Sequence, residues 1–243
     1  MANQILKDCK LIVGKYDFSG KMNALALSYG AEALDDTTFA SGGTKSNAGG
    51  LKTVSFQHEG LFDTGAGSVD EVFFGNVGLA EQPVAISPQA GAEGELAYFF
   101  KSLQTKYSPS GKIGQLLAFS VGGEAQNSPL VRGIVGHTNT RTATGVGTAY
   151  QLGAVSAAQK LFAALHVLAA SGTTPSLVVK VQSDDTQAFT TPTDRITFAA
   201  QNAANAVWAT PVAGAITDTW WRVTWTITGT TPSFQFIVPV GIL

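Results

Sequence analysis

Charge is scarce in this chain. Only 13% of its 243 residues are Asp, Glu, Lys or Arg, against roughly 25% in an ordinary globular domain. A surface washed by solvent on every side carries more, so partners covering much of the surface is the reading adopted. Cysteine is rarer still. Cys9 stands alone, which excludes an intrachain disulfide, and it reads as a small buried residue of the first strand. Histidine occurs three times, as His58, His137 and His166, and none falls in an H-x-x-x-H, H-E-x-x-H or C-x-x-C pattern, so each is expected to be structural. There is no excess of positive charge: the net charge is −2 and the pI about 5.9. That argues against a protein gripping nucleic acid by neutralising phosphates, though not against one that touches DNA loosely or repels it. No apolar run approaches the ~18 residues of a membrane-spanning helix. Met1 to Lys10 lacks the basic and apolar regions of a signal peptide, so synthesis in the cytoplasm and no membrane insertion are expected.

Catalytic patterns are missing too. The glycine-rich pieces Gly65-Ala-Gly67 and Gly145-Val-Gly147 lack the Lys-Ser/Thr ending of a phosphate loop, and no Gly-x-Ser-x-Gly occurs. Asp35-Asp36 and Asp184-Asp185 are acidic pairs, but neighbours on a strand point to opposite faces. Asp184, Asp185 and Asp194 flank a loop without the regular spacing of a calcium site. The expectation is no enzyme, no cofactor, no metal.

What is present is alternation. The closing segment, Trp220 to Val240, reads as two strands around a Gly229-Thr230-Thr231-Pro232 turn. Val223, Trp225 and Ile227 share one face of the first strand with Trp221; Phe234 and Phe236 share a face of the second. These six are expected in a core or a subunit interface. A sugar- or base-stacking platform of Trp220, Trp221 and Trp225 is the competing reading. Leu11–Phe18 and Asn23–Tyr29 read as neighbouring strands of a meander. Leu51–Gly60, Gln115–Val121, Val131–Val135, Leu161–Ala170, Leu177–Val181, Arg195–Ala199 and Val207–Pro211 complete the strands. A helix is predicted over residues 93–107, where Leu96, Phe99, Phe100, Leu103 and Tyr107 form a stripe, Glu93 and Glu95 sit in the first turn and Lys106 in the last. Ala40–Gly50 is a long polar loop, of the kind that carries function. Residues 1–140 hold 10 basic and 13 acidic residues and the remainder only 5 and 4. The composition shift places a soft boundary near residue 135, giving β units of 1–135 and 136–243, the second a diverged duplicate or an outer decoration. No strict internal repeat is apparent. The fold class is mainly β, of sandwich or barrel type, with one amphipathic helix.

Tyr16-Asp17-Phe18-Ser19-Gly20-Lys21-Met22-Asn23, then Leu34-Asp35-Asp36-Thr37-Thr38-Phe39, then Gly49-Gly50-Leu51-Lys52 resemble the opening of major tail tube proteins of long-tailed bacteriophages. Tyr98 to Gly114, Leu130 to Gly133, Val179 to Asp185 and the W-R-V-T-W-T-I-T-G segment continue the likeness over nearly the whole chain. The resemblance implies a tail-tube-like β-sandwich with one helix. It implies a virion protein that self-assembles into stacked rings, whose inner strands close into a channel for non-specific passage of double-stranded DNA. A polar loop would order against the next ring, giving Ser41, Gly42, Gly43, Thr44, Lys45, Ser46, Asn47 and Gly49 an inter-ring role. Three copies per ring with pseudo-sixfold symmetry are expected, with six copies as the alternative; tape-measure and tail-terminator proteins are the implied partners. A carbohydrate- or receptor-binding β module of a phage tail or cell surface is the other functional class.

Overall fold

A computed structural model describes residues 8–243. The strands are β1 (Lys10–Val13), β2 (Tyr16–Asp17), β3 (Ala24–Asp35), β4 (Asn47–Leu61), β5 (Gln82–Ser87), β6 (Leu96–Ser110), β7 (Ala118–Ala125), β8 (Val131–Arg141), β9 (Gly145–Val146), β10 (Tyr150–Gln151), β11 (Lys160–Asp184), β12 (Thr193–Thr197), β13 (Asn205–Trp208), β14 (Val212–Ala213) and β15 (Trp220–Ile242). The one α-helix among the described residues is α1 (Val69–Asn76). Strand dominates, and the described pairings are antiparallel, as the fold class requires.

The helix lies elsewhere than the stripe at 93–107 predicts. That stretch is β6. Apolar residues at i, i+3, i+4 and i+7 also suit a strand flanked on both sides, and here Phe99 and Phe100 are both fully buried. Tertiary pairing overrides the local helical pattern. The true helix is short. Ser68 caps it by accepting from the Glu71 amide, and Asp70 and Glu71 occupy its first turn, where the macrodipole favours them. The expected β1–β3 meander is also absent: β1 pairs with β2 and β5, and β3 with β4.

The chain separates into two compact units woven from non-contiguous segments. One comprises the residues up to Gly20, Gln82–Lys101 and Val131–Leu243; the other comprises Lys21–Glu81 and Ser102–Leu130. A boundary near residue 135 falls close to the last switch, at Val131. The N-terminal strand and 82–101, however, group with the C-terminal half rather than with 21–81.

The larger unit is organised by β11 and β15. They pair along their whole lengths, from Leu161 with Ile242 to Asp184 with Trp220. Trp220–Ile242 is therefore one strand whose partner is β11, not a hairpin closed on itself. The chain does reverse at the Gly-Thr-Thr-Pro segment. The Trp225 and Phe236 rings lie 5.8 Å apart, whereas eleven residues of straight strand span roughly 36 Å. The ribbon bends double, and its halves face each other across a core of Leu161, Leu165, Val179, Val181, Trp221, Val223, Trp225, Phe234 and Phe236.

The bend is symmetric. Ser171-Gly172-Thr173-Thr174-Pro175-Ser176 on β11 repeats as Thr228-Gly229-Thr230-Thr231-Pro232-Ser233 on β15, an internal repeat that strand-by-strand reading passes over. Gly172 has φ +115° and Gly229 +122°, and Thr174 and Thr231 have +47° and +49°. Thr173 pairs with Thr230 at the centre. A Cβ on either glycine would lie 2.8 Å from the carbonyl oxygen of the opposite Thr231 or Thr174, so only glycine fits both corners.

The smaller unit contains a four-stranded sheet in the order β3, β4, β7 and the Ser102–Ser110 part of β6. Val54, Phe56, His58 and Gly60 of β4 point to its covered face. There α1 supplies Val69, Val72 and Phe73, all buried. The His58 ring lies 5.0 Å from Phe73 and 5.3 Å from Phe119. The Tyr107 hydroxyl donates to Asp70 on the helix.

Candidate assembly surface

The exposed surface of the smaller unit follows from register. Leu25, Leu27 and Tyr29 of β3 stand opposite His58, Phe56 and Val54, on the face that α1 covers. Ala24, Ala26 and Ser28 stand opposite Glu59, Gln57 and Ser55, and β7 continues that row with Ser120, Gly122 and Glu124. The middle of this second face carries small and polar side chains tied together: Gln57 donates to Glu59, Lys106 to Gln57, and Ser120 to Glu59. Period-two alternation makes one face apolar and sealed, the other polar and open.

The borders of this sheet are unpaired among the described residues. β3 hydrogen-bonds only to β4, and the Lys106–Ser110 stretch of β6 only to β7. β3 is twelve residues long, and a long open edge is an invitation to pair with another chain.

The apolar exposure is lopsided. Thirteen large apolar residues are exposed among those described, and eleven of them belong to the smaller unit. They include Tyr29, Leu34, Phe39 and Leu51 on the β3–β4 hairpin, and Ile113, Leu116 and Leu117 between β6 and β7. Exposed apolar groups in this density mark a surface that partners cover.

The eight residues expected to contact a neighbouring ring lie at the tip of this hairpin. The loop is shorter than the sequence suggests. Asn47 pairs with Asp35 and Gly49 with Ala33, so both are strand. Ser41 ends a 3₁₀ turn whose N-cap is Thr38, Gly42 and Gly43 have positive φ, and Thr44 donates to the Ser41 carbonyl. Thr37 and Ser46 hydrogen-bond across the base. Lys45 approaches Asp35 at 3.8 Å. The segment has structure of its own. Phe39 and the Ile113–Leu117 group were not singled out from sequence. Their signal was an Ile-Gly-Gln-Leu-Leu run directly after the turn-forming Pro109-Ser110-Gly111-Lys112.

Trp221, Val223, Trp225, Ile227, Phe234 and Phe236 are all buried in the larger unit's core. The Trp221 and Trp225 indole N–H groups donate to the Gly153 and Ala143 carbonyls. Those two rings therefore form no exposed stacking platform, which removes the feature that favoured carbohydrate recognition.

The three histidines and the acidic groups of the larger unit are structural in their geometry. His137 is stacked on Trp225 at 4.3 Å, accepts from Arg141 at Nε2, and places Nδ1 2.6 Å from a Glu93 carboxylate oxygen. Burial pushes His137 down to about 4, against the pull of Glu93. Burial likewise takes His166 to about 4, with its Nδ1 2.7 Å from the Gly14 carbonyl oxygen, and His58 to about 3. All three are neutral at pH 7. Asp184 is held down to about 2, chiefly by the Thr186 amide, and it also accepts from Thr191. It closes its own loop. Asp194 is engaged by Lys180 and Gln182, and Asp218 by Arg195 and Ser183. Burial raises the Cys9 thiol to about 11, far from a nucleophile. Among the described residues, no group of three or more His, Cys, Asp or Glu is arranged to hold a metal, and no helix is long and apolar enough to cross a membrane.

No protein-family model and no curated protein matches the chain. Solved structures do. A chain of the virion of the native gene transfer agent particle is similar at 15% identity and a TM-score of 0.43, over 53% of this chain and 98% of that one. The SPP1 Dit protein, described as a paradigm of the hub adsorption apparatus in phages infecting Gram-positive hosts, is similar at 10% identity and a TM-score of 0.39, over 98% of this chain and 100% of that one. A chain of the PVC sheath–tube complex of an extracellular contractile injection system is similar at 13% identity and a TM-score of 0.38, over 53% and 90%.

Proposed function

We propose that the chain is a structural subunit of a phage tail, and within the tail the tube subunit. The observation that carries this reading is the smaller unit's sheet, with one face sealed by α1, one face polar and open, and two unpaired edges. Joined edge to edge around a closed ring, such sheets remove each other's free borders. The sealed face then turns outward and the polar face lines a channel. Short Ala, Ser and Gly side chains leave room there, and Glu59 and Glu124 favour weak contact with DNA phosphates. The larger unit offers little free edge to such a ring. The outer strands of its sheet are short, two residues in β2 and five in β12, and it has few exposed apolar residues. One open sheet per chain favours six copies in a ring over three copies that each supply two sheets.

Electron microscopy of the purified protein tests the reading. Hollow rings or tubes are expected. A strictly monomeric species that binds glycans would overturn it in favour of a recognition module.

A further inference from the structure

In the larger unit, residues 142–148 run Thr-Ala-Thr-Gly-Val-Gly-Thr between β8 and β10 and lie as a strap along β15. Gly145 pairs with Trp225, Val146 with Thr224, and the Gly147 amide donates to the Val223 carbonyl. The strap's outer side is in solvent, with Val146 60% exposed, and none of its side chains is buried. Its inner side is flat. A Cβ on Gly145 would come within 2.9 Å of the Trp225 ring, and one on Gly147 within 3.7 Å of His137 Nδ1. Closure therefore rests on polar contacts, since no apolar side chain of the strap is sealed beneath it. The Trp225 indole donates to the Ala143 carbonyl, and the Ile227 amide to the Thr144 hydroxyl.

Both ends of the strap meet the buried His137 through ionisable partners. Glu93 latches the far end. One carboxylate oxygen lies 2.6 Å from His137 Nδ1 and accepts from the Thr138 amide; the other accepts from the Thr148 hydroxyl at 3.2 Å. Arg141 stands where the strap begins. Its Nε–H donates to His137 Nε2 at 3.4 Å, and its guanidinium lies 5.0 Å from the Trp225 ring. Because Nε2 accepts, the neutral imidazole carries its hydrogen on Nδ1, toward Glu93. A second proton can enter only at Nε2, where it meets the Arg141 N–H and sets an imidazolium against a guanidinium. The other neighbours do not relieve this. Tyr150 of β10 packs on Gly94, and its hydroxyl is kept protonated by burial. Lys10 of β1 shares the hollow beside Glu93 but is paired with Asp17. From β15 only Trp225 and Phe236 face the ring, and the strap itself carries no charge.

We infer that residues 142–148 form an acid-released strap: a proton taken by His137 at Nε2 expels the Arg141 side chain, and the strap lifts from β15 to uncover Trp225. The direction follows from linkage. Burial holds the closed His137 down at about 4, against the pull of Glu93, and a lifted strap returns the ring toward its ordinary 6.5. The open form therefore binds the proton more tightly. The strap is closed above pH 6.5, and its opening gains roughly tenfold per pH unit as pH falls toward 4. The inference concerns the larger unit alone and does not depend on the tube reading.

Hydrogen exchange of the full chain between pH 7 and 4.5, corrected for the intrinsic pH dependence of exchange, tests the strap. The Gly147 amide should lose protection by roughly tenfold per pH unit, while amides within the β11–β15 pairing stay protected. His137→Phe keeps a ring on Trp225 and removes the proton acceptor, so its Gly147 protection should not vary with pH. Glu93→Gln tests the latch at neutral pH. An amide has one acceptor oxygen where the carboxylate uses two, so trypsin should cut after Arg141 in this variant and not in the wild type. A flat wild-type profile for Gly147, or an equal fall in His137→Phe, would overturn the proposal. So would loss of protection at Gly147 and in the ribbon together, which is global unfolding and is read from the wild type even if His137→Phe does not fold. Trypsin resistance of Glu93→Gln would remove Glu93 as the latch and overturn the device as drawn.

Discussion

The two units of this chain solve burial in opposite ways. The larger one folds a long ribbon upon itself, and its core contains Trp221, Trp225, Phe234 and Phe236, all buried. The smaller one seals a single sheet face with an eight-residue helix and leaves most of the molecule's exposed apolar side chains in solvent. The difference teaches that exposed apolar surface is concentrated in one unit rather than spread over the described chain. The larger unit is finished by its own chain, and in the proposed tube the smaller one is finished by other copies.

Acid should expose what the two units share. Each histidine is held neutral when folded, and the unfolded chain binds protons below an ordinary value of 6.5. Stability is therefore complete above pH 6.5 and is lost as pH falls toward about 4 for His137 and His166 and about 3 for His58. Asp184, held at about 2, adds a further loss below its ordinary 3.8. Urea unfolding at a series of pH values checks this; a flat profile between pH 7 and 4.5 would contradict it. His58→Phe should reduce the pH dependence in the smaller unit only, as read by amide exchange.

Trp225→Ala should cost about 3–5 kcal/mol, because it empties the larger unit's core and removes a ring beneath Arg141, 5.0 Å away. An unchanged melting temperature would place Trp225 outside any core. Gly172→Ala and Gly229→Ala should each cost about 1–3 kcal/mol, and by equal amounts, because the two corners are alike. Unequal losses would show that the symmetry of backbone angles is not one of energy. The smallest effect on stability should come from Phe39→Ser and Leu51→Ser, within about 0.5 kcal/mol, yet these should impair assembly. Normal assembly would break the contrast between the units.

Much of the fold was legible where one face is buried and the other is not. Leu51–Gly60 alternates cleanly and lies in β4, with Val54, Phe56 and His58 inward. Leu161–Ala170 is a strand with both faces covered, which blurs its alternation: Leu161, Ala163 and Leu165 face one core, Phe162 and Ala164 another. The same two-sided burial disguised β6 as a helix. The real helix is only two turns long, too short for a periodic signal, although Ser68-Val69-Asp70-Glu71 has the spacing of a capping box. The reversal at Gly229–Pro232 was readable locally. Its partner was not, since the matching corner lies 57 residues earlier in sequence, at Gly172. At the candidate surface, polar composition drew attention to Ser41–Gly49, while the exposure of Phe39, Ile113 and Leu116 depends on which face is covered, and sequence does not carry that.

Hydrogen exchange of the dispersed and the assembled protein tests the central claim most directly. The outward-pointing amides of Ala24–Ala31 and Lys106–Ser110, every second one along each edge, should exchange quickly in the dispersed chain and become strongly protected on assembly, while those of the β11–β15 ribbon are protected in both. Equal protection of the β3 and β6 edges in the two states would contradict the account.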